Sequence, residues 1–290
     1  MKICKVIFST NRPDYLIRTL ESFKDLNFNG HEVDGIFVDD YPQGRDDDQI
    51  RSIAEQYGYN RVVLHEKNIG LTGTWAHINQ LLSDKKYDYV WQQEDDVELI
   101  APLHVDNLIK FLEHDPLMAQ VCLSRQLWYP GEIEVELSKK PGYKYEEDYT
   151  KRVEMILAAL SDKEVIFAPQ VNDEDKIFES YRYQTFTERF ANMATLYHYW
   201  ISQEPIEQTY GYHPSEGVVM ACIRRNNVGY YGSIIRQHDG RPYLNHIGEY
   251  SQGIRITKQT DPGGGSFTWM DPSKRYNARW GYEVPPGQES

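Results

Sequence analysis

The chain has 290 residues, enough to bury a full core, and length alone allows one large domain or two small ones. A composition of 40% hydrophobic and 26% charged residues excludes a globally disordered chain. The net charge of −13 argues against a polyanion held by bulk electrostatics, although a divalent metal with a few local arginines can still hold a small anion on an acidic protein.

The cysteines Cys4, Cys122 and Cys222 lie in apolar runs without metal-type spacing, and read as buried free thiols in a reducing compartment. The opening MKICKVIFSTNRPDY carries an apolar stretch too short for a signal-peptide core. No run approaches the roughly 20 apolar residues of a membrane span, so a cytoplasmic protein is the expectation.

In chain order, Ile3 to Ser9 predicts a first strand, followed by turn chemistry at STNRP. Tyr15 to Phe23 has helical spacing, with Leu16, Leu20 and Phe23 on one face. Val33 to Val38 predicts a second strand ending in Asp39 and Asp40, then a polar helix spans Asp48 to Tyr57. Val62 to His65 reads as a third strand, Gly73 to Leu82 as a helix, and Tyr87 to Gln92 as a fourth strand running into Glu94, Asp95 and Asp96. Such alternation implies an α/β fold with a mostly parallel central sheet flanked by helices.

Further on, Pro102 to Leu112 predicts a helix and Met118 to Leu123 a strand. Pro130 to Lys151 reads as an exposed charged excursion, and Lys151 to Leu160 as a helix. Thr185 to Ile201 reads as a long helix with Phe186, Phe190, Met193, Tyr197 and Trp200 on one face, and Gly217 to Ile223 as a strand. After Arg224 the chain is rich in Gly, Tyr, Arg and Trp with little periodicity. These later parts read as insertions and loops on one α/β core.

Ligands of such sheets bind at the carboxyl ends of the strands. Here each strand ends in small or polar residues: Ser9-Thr10-Asn11-Arg12, Asp39-Asp40, Asn68 and Glu94-Asp95-Asp96. Three adjacent acids at a strand end repel one another unless a cation is present, and a hard divalent ion such as Mg²⁺ or Mn²⁺ prefers oxygen ligands.

The ordered set STNRPDYLIRTLESF, IFVDDYPQG, NIGLTGTWAHINQ and YVWQQEDDVEL resembles the N-terminal half of family-2-like GT-A glycosyltransferases. The resemblance implies a GT-A domain over 1–290, with a nucleotide-sugar-binding half at 1–115 and an acceptor-binding, catalytic half at 116–290. It implies that Thr10, Asn11 and Arg12 line the base pocket, Arg12 near a phosphate or base edge. One of Asp39 and Asp40 accepts from the base imide or the ribose, while Asn68 and Gly70 form a turn over the nucleotide. Glu94, Asp95 and Asp96 form the DXD-type site, with Asp96 the direct metal ligand. The second acidic site departs from the family pattern, reading DDYPQG where many relatives have DDGS. The implied donor is a nucleotide-sugar, first a UDP-sugar, used with Mn²⁺ or Mg²⁺, and the acceptor a hydroxyl of a glycan or lipid-linked glycan.

In the second half, Glu216 directly precedes an apolar strand, where its carboxylate can serve as general base. NHIGEYSQG resembles the late His-Ile-Gly segment of several GT-A families, which makes His246 the expected partner of Asp96 at the metal, with His238 as the competing candidate. From Arg224 to Arg279 there are nine Lys or Arg against four Asp or Glu, a local charge of +5. That stretch motivates a rival acceptor, a hydroxymethylated base in DNA, against which the acidic total weighs. A catalytically idle nucleotide- or glycan-binding module on the same fold is a second alternative. A nucleotidyltransferase lacks support, because no Gly-rich GxGxR-like loop follows the first strand.

Overall fold

The computed structural model describes residues 1–128, 130–186, 193–203 and 229–248, together with short strands at Tyr250–Ser251, Ile256–Gln259, Ser266–Trp269 and Tyr276–Asn277. Side chains are described within the first four of these stretches, apart from residues 71, 72, 130, 131, 149, 150 and 153.

The first half follows the alternation read from the sequence. It runs β1 (Lys2–Ser9), α1 (Pro13–Phe23), β2 (Glu32–Asp39), α2 (Asp47–Gln56), β3 (Arg61–Leu64), α3 (Gly70–Ser83), β4 (Tyr89–Glu94), β5 (Val97–Leu99), α4 (Val105–Glu113) and β6 (Met118–Leu123). There follow α5 (Pro130–Ser138), α6 (Tyr149–Ser161), α7 (Lys163–Ile166), β7 (Lys176–Phe178), β8 (Tyr181–Phe186), β9 (Ala194–His198), a 3₁₀ turn at Tyr199–Gln203, β10 (Tyr231–Gln237) and β11 (Leu244–His246).

Nine strands form one sheet in the order β3-β2-β1-β4-β9-β6-β10-β8-β7. Parallel pairing joins β3, β2, β1 and β4, and again β6 and β10, whereas β9 runs antiparallel between β4 and β6, and β8 runs antiparallel between β10 and β7. The sheet is thus mixed but mostly parallel. Helices α1, α2 and α4 cover one face, where Leu16, Leu20, Ile50, Leu108 and Phe111 meet Ile3, Ile7, Phe37 and Trp91. On the other face Trp75, Ile78 and Leu82 of α3 pack on Val6, Phe8, Val90 and Tyr197.

Local chemistry explains several boundaries. Pro13 opens α1, where its missing N–H costs nothing, and Leu16, Thr19, Leu20 and Phe23 form one buried stripe. Asp46 caps α2 by accepting from the Gln49 N–H at 3.0 Å.

Two expectations are corrected. The long helix over Thr185 to Ile201 is replaced by β8, β9 and the 3₁₀ turn. The aromatic spacing in that stretch imitates a helical face, but β9 is an interior strand buried on both faces, so it shows no alternation to betray it. The excursion at 130–151 is in part helical, and Ile133 of α5 is fully buried with Ile156 and Leu160 of α6 and Val165 of α7. The expected strand over Gly217 to Ile223 lies outside the described residues.

Candidate active site

Asp95 and Asp96 form the turn between β4 and β5. Thr19, buried on α1, holds this turn: its hydroxyl donates to the Asp95 carbonyl at 2.8 Å and accepts the Val97 N–H at 3.1 Å. The two carboxylates then point to different work. Asp95 faces inward, where its Oδ2 accepts the Ser9 hydroxyl at 3.0 Å and the Thr10 N–H at 3.1 Å, and its Oδ1 meets Arg12. Burial pushes the Asp95 pKa up against the pull of Arg12.

Asp96 faces Arg12 and His246. Its Oδ2 lies 2.9 Å from Arg12 Nη1 and 3.5 Å from His246 Nε2. Burial acts to raise its pKa, but Arg12 and His246 outweigh that and hold the carboxyl well below the usual range. Its Oδ1 is buried with no hydrogen-bond partner among the described residues.

His246 reaches this turn through pairing. Strand β11 runs antiparallel to β5 with His246 opposite Val97, and the Ile247 N–H donates to the Asp96 carbonyl at 2.8 Å. Gln126, almost fully buried, clamps the same segment: its Oε1 accepts the His246 N–H at 2.7 Å, and its Nε2 donates to the His246 carbonyl at 3.0 Å and to Asn245 Oδ1 at 3.1 Å. The His246 ring stands edge-on to Trp128, with centroids 4.0 Å apart.

One ligand atom each from Glu94, Asp96 and His246 lies within 4.8 Å of the others. Two carboxylates and an imidazole suit Mn²⁺ or Mg²⁺. The unpaired buried oxygen of Asp96 fits such an ion, since a buried acceptor left without a donor is costly unless a cation meets it.

The other strand-end residues gather on the adjoining edge. Asn11 adopts a left-handed conformation (φ 54°), which sends its N–H to Asp39 Oδ2 at 2.6 Å and its side-chain amide to the Gln43 carbonyl at 2.9 Å. Asp39 is fully buried and spends both oxygens internally, Oδ1 accepting from the Tyr41 N–H at 3.1 Å and from Arg45 at 2.9 Å. Asp40 behaves differently: its Oδ1 takes the Ile69 N–H at 2.9 Å and His65 at 2.8 Å, while Oδ2 receives no hydrogen bond from the described residues. Asn68 Oδ1 accepts the Gly70 N–H at 2.8 Å, and Gly70 opens α3 at φ 71°, a value that a side chain would strain.

Several expected positions are thereby located. Glu94, Asp96 and His246 come together. Thr10, Asn11, Asp39, Asp40, Asn68 and Gly70 line the ends of β1, β2 and the start of α3. Arg12 lies across Asp95 and Asp96, pairing with both buried carboxylates. His238 follows β10, where its carbonyl accepts from Arg182 at 3.4 Å. Glu216 lies outside the described residues. Thr19, Gln126, His65 and His77 carry polar links that no motif flags. The one sequence signal is a threonine within the apolar stripe of α1.

The family model for glycosyl transferase family 2 matches residues 5–159, more than half of the chain, and the chain belongs to that family. Its mixed, mostly parallel α/β sheet flanked by helices is that of a GT-A domain. No curated protein matches the chain. Among solved structures, it is similar to a mannosyltransferase, PcManGT from Pyrobaculum calidifontis, in complex with GDP-Man and Mn²⁺, with 14% identity, a TM-score of 0.44, and coverage of 79% of this chain and 53% of that one. It is also similar to S. aureus TarS residues 1–349, with 13% identity, a TM-score of 0.44, and coverage of 85% and 60%. The same TarS fragment in complex with UDP gives 13%, 0.44, 84% and 60%. The chain therefore spans between half and two thirds of the length of these structures.

Proposed function

We propose that this chain is a metal-dependent glycosyltransferase that moves a hexosyl or pentosyl group from a nucleotide-sugar, a UDP-sugar first, to a hydroxyl of a glycan or lipid-linked glycan. The observation that carries the reading is the convergence of Glu94, Asp96 and His246 beside a buried Asp96 oxygen that lacks a partner among the described residues. A divalent ion held there neutralises the diphosphate as it departs.

The chain's own residues supply the rest. Asp95 ties the β4–β5 turn to Ser9 and Thr10, which anchors the neighbouring Asp96. Arg12 offers a positive charge beside the site, suited to the diphosphate. Asp40 keeps Oδ2 for a base or ribose donor, which favours it over Asp39 as the nucleoside-reading acid. Glu216 is the proposed base that takes the acceptor proton, on the strength of its position before an apolar run.

A thermal-shift panel tests the reading: UDP-, GDP-, CMP- and TDP-sugars, each with and without Mn²⁺, on the wild type and Asp96→Ala. The expected result is stabilisation by one nucleotide that needs the metal and is lost in the variant. No shift from any of them contradicts the proposal.

A further inference from the structure

A line of three side chains runs behind the nucleoside edge of the site. Asp40 Oδ1 and His65 Nδ1 are 2.8 Å apart, and His65 Nε2 lies 2.8 Å from Nδ1 of His77 on α3. The two imidazoles are stacked, with centroids 5.1 Å apart and planes 19° from parallel. Asp40 and His65 are both buried.

Proton counting orders this line. A neutral imidazole has one donor and one acceptor. An ionised Asp40 only accepts, so His65 carries its proton on Nδ1 and its Nε2 must accept. His77 then carries its proton on Nδ1 as well. Asp40 Oδ1 is thereby occupied twice, by His65 and by the Ile69 N–H, which fixes the plane of the carboxylate and leaves Oδ2 to a ligand.

The charges around the line agree with that assignment. Arg45 donates to the His65 carbonyl at 3.1 Å and is itself paired with Asp39. Burial, followed by His65 and Arg61, lowers the pKa of His77.

We propose that His65 and His77 are positioning residues for base recognition, holding Asp40 so that Oδ2 meets a base edge that presents an N–H, as uracil, thymine and guanine do and cytosine at N3 does not. The inference rests on the nucleotide-sugar reading above and adds the residues that set its base preference.

Two substitutions at one position separate positioning from plain structure. In His65→Asn the amide nitrogen takes the place of Nδ1, which keeps a donor for Asp40 and drops the link to His77. In His65→Gln the amide lies nearer the place of Nε2, which keeps the link to His77 and leaves Asp40 without its side-chain donor. Dissociation constants for UDP, GDP and CDP are measured calorimetrically on the full chain with Mn²⁺, alongside the melting temperature, with His77→Phe as a second route to the same question. The wild type is expected to prefer UDP or GDP over CDP. His65→Gln should lose about tenfold in affinity for the preferred nucleotide, with CDP binding unchanged, while His65→Asn retains most of the preference and His77→Phe falls between.

A wild type that binds UDP or GDP, with a preference over CDP that survives intact in His65→Gln and His77→Phe, overturns this inference alone. A wild type that prefers CDP overturns it as well. A wild type that binds no nucleoside diphosphate contradicts the nucleotide-sugar reading and removes the inference with it.

Discussion

Gly248 packs on Asp96 so closely that a Cβ at position 248 would stand 2.1 Å from Asp96 Oδ2 and 2.7 Å from its Cγ. No side chain fits there unless the carboxylate moves. The glycine after His246 and Ile247 therefore lets the late segment close over the acid turn. Gly248→Ala should swing Asp96 off its position and lower metal affinity and transfer activity about 10- to 100-fold, the range typical of disturbed metal-site neighbours. Steady-state kinetics across a Mn²⁺ titration checks this, with a melting curve to show that the variant folds.

Gln126 makes a comparable prediction from the other side of the same segment. Its amide satisfies both backbone groups of His246. Gln126→Ala removes both partners from this part-buried segment, and should cost about 1–3 kcal/mol in denaturant unfolding. The same variant should weaken Mn²⁺ binding, because His246 loses the clamp that aims it.

Thr19 holds the acid turn through a single hydroxyl that both donates and accepts. Thr19→Val keeps the shape and removes both bonds. It should destabilise the fold by about 1–3 kcal/mol, whereas Thr19→Ser should stay close to the wild type. Urea unfolding of the two variants side by side gives the answer.

The pH dependence of stability has a defined sign. His198 packs its ring on Tyr89, and burial depresses its pKa against the opposing effects of Glu113 and the Met118 backbone. His77 is depressed in the same direction. The unfolded chain then binds these protons more readily than the folded one. Stability is present above the unfolded value of about 6.5 and is lost as pH falls from there through the depressed folded value. Denaturant unfolding between pH 8 and pH 5 should show this fall, and His198→Gln should flatten it.

How much of this was legible in the sequence depends on what kind of information each residue carries. The alternation up to β4 was readable, because strand-end residues such as Asp39, Asp40 and Glu94 follow directly on apolar runs. The division of labour within Glu94, Asp95 and Asp96 was not. As a string they are three like acids, and only the turn held by Thr19 sends Asp95 inward to Ser9, Thr10 and Arg12 while Asp96 faces His246. The pairing of Arg12 with these acids was hidden for the same reason, since Asp95 lies 83 residues along the chain. Gln126, His65 and His77 act only through distant neighbours, and a buried polar side chain does not announce its partner. The β8–β9 stretch failed on periodicity, since an interior strand buried on both faces carries no period of two to set against a chance helical spacing of aromatics.

In the proposed function, Glu94, Asp96 and His246 together hold a divalent ion that in turn holds a diphosphate. Electron paramagnetic resonance of free Mn²⁺, titrated with the protein in the presence and absence of UDP or GDP, tests it most directly. Mn²⁺ uptake should be tightened by the nucleotide in the wild type and lost in both Asp96→Asn and His246→Ala. Uptake that is unchanged in these variants, or indifferent to either nucleotide, would contradict it.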